Sequence, residues 1–200
     1  MYNIAAIGYD IEATLTGFSE KSRIRREAIE SLEISENEIV IDACCGTGLN
    51  FKLLEQQLCR GGEIIGVDIN SKMLSLARRR CEIKNWNNVE LVCANILEFN
   101  TEKLADCALC TVAMGTIPEY RKVIDQVMKQ LKPLGRFSIV DGKLSNRFPY
   151  KVLNFPYILF SKSGGFDYKT RARYCSTLHR IAERRWWFPF RTGARKSHCP

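Results

Sequence analysis

No stretch of this 200-residue chain approaches the ~20 consecutive apolar residues that cross a bilayer. The longest candidate, Val152 to Phe160, is too short and is broken by Asn154 and Pro156. Any membrane contact is therefore expected to be peripheral. The opening residues, Met1-Tyr2-Asn3-Ile4-Ala5-Ala6, lack the basic start and long apolar core of a secretory signal. Histidine is scarce, at two residues, and His179 reads as a surface or packing residue rather than a base. Cysteine is plentiful but lacks a disulfide framework. There are nine, an odd number, and Cys93, Cys107 and Cys110 fall in or beside apolar runs, where a free thiol acts as a small hydrophobe. Cys107-Ala108-Leu109-Cys110 has C-x-x-C spacing, yet strand alternation would send its thiols to opposite faces. No second pair or nearby histidine completes a zinc set, so no metal site is expected, and the thiols predict a reducing cytoplasm. Repeats and low-complexity segments are also missing.

What is present is unevenly distributed. Residues 1–142 carry 17 Lys/Arg against 20 Asp/Glu, while residues 143–200 carry 13 against 2. The last segment also holds 12 of the 20 aromatics, among them Trp186, Trp187, Phe188 and Phe190. A basic, aromatic surface suits anionic partners such as lipid head groups, nucleic acid or an acidic small molecule.

The most informative stretch runs from Ile39 to Phe51, where Ile39-Val40-Ile41-Asp42-Ala43 breaks into Cys44-Cys45-Gly46-Thr47-Gly48. A second apolar run ends in Asp68. Glycines let a backbone approach a ligand closely, and a carboxylate can accept from both hydroxyls of a ribose. Together they describe a nucleoside site at the carboxyl edge of a parallel sheet. A dinucleotide fingerprint needs a third glycine, but Phe51 stands there, and no G-K-[ST] follows to make a P-loop.

The periodicity predicts a helix over 20–33, strands over Ile39–Ala43, Glu63–Asp68 and Val89–Cys93, and a helix after each of the first two. Asn70 or Ser71 should cap the second of these, which is expected to bury Met73, Leu74 and Ala77. A fourth strand is expected over about Cys107–Ala113. A helix with Val123, Ile124, Val127, Met128 and Leu131 on one face should follow. Lys132-Pro133-Leu134-Gly135 reads as a turn and Arg136–Asp141 as a fifth strand. Alternating strands and helices predict an α/β fold, a doubly wound, mostly parallel sheet, with a C-terminal antiparallel hairpin over 179–197. One domain is expected: residues 1–35 an N-terminal lid and helix, 36–142 the core, and 143–200 a basic, aromatic substrate region.

The segment Asp42–Gly48 resembles motif I of class I S-adenosylmethionine (SAM) methyltransferases, with Cys44 where the first glycine usually lies. That departure is expected to matter little if Cys44 keeps a negative φ. Tyr9-Asp10 with Gly17-Phe18-Ser19-Glu20-Lys21, and Leu131-Lys132-Pro133-Leu134-Gly135-Arg136, are similar to the branch holding ubiquinone/menaquinone and phospholipid methyltransferases. Leu134 departs from that branch, where glycine is usual. The resemblance implies a Rossmann-like enzyme with SAM as cofactor. Asp42 and the Gly46–Gly48 backbone, with Cys44, would hold the methionine portion, Asp68 the ribose, and Asn95 with the Ile96 backbone the adenine. Tyr9, Ile69, Met73 and Thr111 complete the implied cofactor set. Thr111 to Met114 would face the reacting methyl, and Tyr9 and Asp141 would steer the acceptor. No dedicated catalytic triad is expected, because aligning acceptor, methyl and sulfur is itself the main task.

The acceptor is read as an amphiphile, foremost an amine-bearing phospholipid head group, with contact between the basic quarter and an anionic membrane at its inner face. The alternatives are C-methylation of a prenylated quinone, or an RNA-binding methyltransferase using the basic tail, since RNA readers stack bases on aromatics.

Overall fold

The computed structural model describes residues 20–59, 61–114 and 117–140. Tyr9, Asp141, the 143–200 region and its expected hairpin lie outside them. The described elements are α1 (Glu20–Glu30), β1 (Ile39–Ala43), α2 (Phe51–Leu58), β2 (Glu63–Asp68), α3 (Ser71–Lys84), β3 (Val89–Cys93), β4 (Ala105–Thr111), α4 (Tyr120–Lys129) and β5 (Leu131–Val140). The strands form one sheet in the order β3-β2-β1-β4-β5, and every adjacent pair is parallel. The order reverses between β1 and β4. Such a switch point opens a crevice at the carboxyl ends of the strands, where α/β folds bind ligands.

Alternation along the strands divides the core. Val40 on β1, Ile64 on β2, and Cys107 and Leu109 on β4 pack with Ile29 of α1, Leu32 in the turn after it, Leu54 of α2 and Leu74 of α3. Ile41, Ile65, Ala108 and Cys110 pack on the other face with Val123, Ile124 and Val127 of α4. Cys107 and Cys110 thus belong to cores on opposite sides of the sheet, as a period of two requires. Asn70 caps α3, its side-chain oxygen accepting from the amides of Lys72 and Met73 at 3.0 and 3.3 Å. On that helix Leu74, Ala77 and Cys81 are buried, while Met73 is only half-buried, at the first turn.

Three expectations need correction. β4 begins two residues earlier than its apolar run suggested, at Ala105. Leu131, read as the end of a helical face, instead opens β5 opposite Ala105. The expected turn at Lys132–Gly135 is a bulge within that strand, since pairing resumes at Cys107 opposite Arg136. Leu134 sits at its tip, 99% exposed and with φ +67°. Proline and glycine marked a local break correctly, but the parallel pairing on both sides absorbs it as a bulge.

Candidate functional site

The glycine loop leaves the end of β1 and is pinned to β2 by its own backbone. Cys45 N–H donates to Val67 O at 3.0 Å, and Gly48 N–H to Cys45 O at 3.0 Å. Gly46 N–H donates to Asp68 Oδ2 at 2.8 Å, and Asn70 N–H to Asp68 Oδ1 at 2.9 Å. Both carboxylate oxygens of Asp68 are therefore oriented by main chain, and each keeps a lone pair for a further donor. The Gly46 and Gly48 amides, part of the backbone expected to hold a methionine portion, are taken up by Asp68 and by the Cys45 carbonyl. Its free feature is space: a β-carbon at Gly46, whose φ is +57°, would meet no atom within 4 Å.

Phe51 explains the missing third glycine. Its ring is fully buried at the start of α2 and lies under the loop. A β-carbon at Gly48 would come within 2.5 Å of Phe51 Cε2, and one at Gly66 within 2.8 Å of Phe51 Cζ. The ring fills volume that two glycines leave open, so the loop is shaped from below by an aromatic.

Cys44 takes φ +58°, so the condition under which its departure from glycine would matter little is not met. The left-handed region costs a residue with a β-carbon roughly 1–2 kcal/mol. Cys44 and Leu134, the two departures from the resembled glycine pattern, thus both keep the backbone conformation that glycine serves. Beside the loop, Ile69 is 71% exposed, an aliphatic face next to the Asp68 carboxylate. Asn95 follows β3, and Ala94 N–H ties this segment to Asp68 O at 3.1 Å. The Asn95 side-chain oxygen accepts from Leu97 N–H at 3.1 Å, an Asx turn that fixes its orientation. Ile96 turns its side chain into the core on the α4 face.

Asp42 lies beneath the loop rather than in it. Its side chain is wholly buried and accepts from Asn50 Nδ2 at 2.9 and 3.0 Å. Asn50 Nδ2 also meets Thr111 Oγ1 at 3.0 Å, while Asn50 Oδ1 accepts from Arg25 at 2.9 Å. Arg25, 8% exposed on α1, donates to Thr111 Oγ1 as well. Burial pushes the Asp42 carboxyl up to about 7, against the Asn50 hydrogen bonds and the Arg25 charge, with the Asp68 charge adding to the rise. Sequence reading missed Arg25 and Asn50. Arg25 lies outside every motif read from the sequence, and its partner Thr111 is 86 residues away.

The strand-4 end differs from expectation. Thr111 is buried and engaged with Arg25 and Asn50. The chain then turns at Val112, with φ +57°, and Met114 enters the α4-side core fully buried. Met114 therefore does not face the crevice, because that turn carries it back under the sheet.

A family model described as a methyltransferase domain matches residues 34–159. The demethylmenaquinone methyltransferase of Oceanobacillus iheyensis is 24% identical over 153 residues, 76% of this chain and 64% of that protein. That of Bacillus cereus is 24% identical over 167 residues, 80% of this chain and 70% of that protein. The chain thus spans less than two thirds of the first relative's length. A candidate S-adenosyl-L-methionine-dependent methyltransferase from Methanococcus maripaludis superposes with a TM-score of 0.65 at 18% identity, covering 90% of this chain and 84% of its own. The sheet and its helices are therefore the Rossmann-like methyltransferase fold.

Proposed function

The chain belongs to the methyltransferase-domain family, and from that premise we propose that it transfers the methyl group of SAM to a ring carbon of a prenylated quinone. The observation that carries the cofactor assignment is the Asp68 carboxylate, held by Gly46 N–H and Asn70 N–H beside exposed Ile69 and the open space over Gly46. A ribose needs an oriented acceptor, an adenine needs an aliphatic wall, and the loop must leave room for the amino-acid portion. Asp68 would take the ribose, Ile69 and Met73 the adenine face, and Asn95 with the Ile96 backbone the adenine edge. Asp42 acts from below, as a buried charge rather than a contact. Tyr9, Asp141 and a membrane-facing basic quarter remain part of the proposal on sequence grounds.

The acceptor reading rests on the two demethylmenaquinone relatives. They favour the quinone over the phospholipid head group that the basic segment first suggested. SAM, held by Asp68, Ile69 and Asn95, would supply an electrophilic methyl on a sulfonium, to which the ring carbon would bond as the sulfur–carbon bond breaks. The ring then loses its proton to solvent or a nearby base. Among the described residues, no helix is long and apolar enough to cross a membrane.

The test is a labelled-methyl SAM assay with a short-chain demethylmenaquinol analogue and, separately, an aminophospholipid dispersion. Label in the quinol product alone supports the reading; label in the phospholipid alone replaces it. SAM affinity should fall at least tenfold in Asp68→Ala, which removes an acceptor for hydrogen bonds worth ~1.5–3 kcal/mol each. Calorimetry finding unchanged affinity in a folded Asp68→Ala variant would remove Asp68 from the site.

A further inference from the structure

Helix α1 lies outside the nucleotide-binding loop in sequence, yet it sends the only buried arginine among the described residues to the core of that loop's support. Arg25 meets Asn50 and Thr111, and Asn50 in turn meets both oxygens of Asp42. The start of α2 and the end of β4 are thereby linked to α1, and through Asp42 to β1, in one hydrogen-bonded chain. Asp42 receives its hydrogen bonds from a neutral amide, and the cation sits one residue further out. This is an incomplete form of charge neutralisation for a fully buried carboxyl.

The groups facing Asp42 define its electrostatics. Arg25 from α1 favours the anion; Asp68 at the end of β2 opposes it. Cys45 in the loop feels both carboxylates and is itself held neutral by burial. Asn50 and Thr111 are uncharged. Removing Arg25 would therefore leave burial and Asp68 unopposed by any cation acting on Asp42 among the described residues, and Asp42 would take up a proton more readily near neutrality. A sulfonium cofactor is a cation, and a carboxylate beneath its loop attracts it while a carboxylic acid does not.

We infer that Arg25 is a positioning residue for cofactor binding, which acts through Asn50 to keep Asp42 an anion beneath the glycine loop. The inference rests on the SAM reading proposed above. It makes α1 part of the cofactor site without touching the cofactor: the helix supplies the charge that lets the motif acid serve. The inference also accounts for why Thr111, expected to face the methyl, points instead at Arg25 and Asn50.

The experiment is SAM binding by calorimetry across about pH 6 to pH 9, on wild type, Arg25→Gln, Arg25→Lys, Asp42→Asn and the Arg25→Gln/Asp42→Asn double variant. Wild type should bind more weakly as pH falls through about 7, where Asp42 takes up its proton. Arg25→Gln should lose at least tenfold at neutral pH and regain affinity at the alkaline end, its midpoint moved upward. Arg25→Lys should restore affinity to within a few-fold. The cofactor's own ammonium titrates in this range, so Asp42→Asn supplies the baseline, and adding Arg25→Gln to it should cost little more. A merely structural arginine would give a loss equal at every pH, and losses that add in the double variant; either result overturns the inference. Wild type that binds no SAM at any pH would instead overturn the cofactor reading itself, and this inference with it.

Discussion

Two aspartates on neighbouring parallel strands show how differently the two edges of this sheet are built. Asp106, at the amino end of β4, accepts from Ile39 N–H at 2.9 Å and from Lys132 Nζ at 2.7 Å. Burial works to raise its carboxyl, but the Ile39 amide and the Lys132 and Arg136 charges win and hold it below the usual range. Nearby, Arg136 pairs with Glu38 and donates to Leu32 O at 2.6 Å. Asp42, near the carboxyl end of β1, is buried completely, bonded only to a neutral amide, and pushed up to about 7. One edge meets its charges with direct partners of opposite sign; at the other, among the described residues, Asp42 is bonded to a neutral amide. An edge that must bind a ligand cannot use up its electrostatic capacity on itself, and the cost appears as reduced stability.

The largest expected effect separates the edges by pH. Asp42 has a folded pKa raised above its ordinary 3.8, so its contribution to stability is full below that value and is lost as pH rises towards about 7. The shift corresponds to an order of 4 kcal/mol. Asp42→Asn should therefore gain stability relative to wild type, by several kcal/mol, as denaturation is moved from about pH 4 to pH 8. A difference between the two proteins that stays constant across this range would show that Asp42 does not carry the cost.

Next comes the loop's own packing. Gly48→Ala would place a β-carbon 2.5 Å from the Phe51 ring, in a backbone with φ +75°. Overpacking and the left-handed conformation together should cost about 2–4 kcal/mol in urea denaturation. Adding Phe51→Leu should recover part of that loss, because it removes the ring the new methyl strikes. Failure of the pair to recover anything would place the cost wholly in the backbone.

On the amino edge the effect should be smaller and opposite in pH sense. The Asp106 pKa is lowered, so its contribution is present above the ordinary value and is lost as pH falls through the folded value. The Lys132 pair is partly exposed, and Lys132→Met should cost no more than about 1 kcal/mol at neutral pH and less in acid. Smallest of all, Leu134→Gly at the exposed bulge should stabilise by up to about 1 kcal/mol by relieving a left-handed leucine. Cys44→Gly should relieve its backbone similarly. If it also changes SAM affinity, the thiol itself shapes the cofactor space.

Short apolar runs were enough to read β1, β2 and β3 to the residue, because strands of a parallel sheet covered on both faces are apolar almost throughout and stop where polar or glycine residues begin. The pairing of a glycine loop with a carboxylate on the next strand was legible for the same reason: Gly46, Gly48 and Asp68 sit at places that local geometry demands. The sequence alone also showed that the dinucleotide fingerprint is missing, since Phe51 stands where its third glycine would be. It could not show that Phe51 lies against Gly66 as well, because that contact joins different strands and helices. Only the tertiary structure decided that Lys132–Gly135 is a bulge, because a turn and a bulge share their residues and differ in what pairs on either side. Only the tertiary structure sent Met114 into the core, brought Arg25 to Thr111, and buried Asp42. Burial and charge proximity are properties of the folded assembly, and a sequence records an arginine's presence but not the distance to the carboxylate it serves.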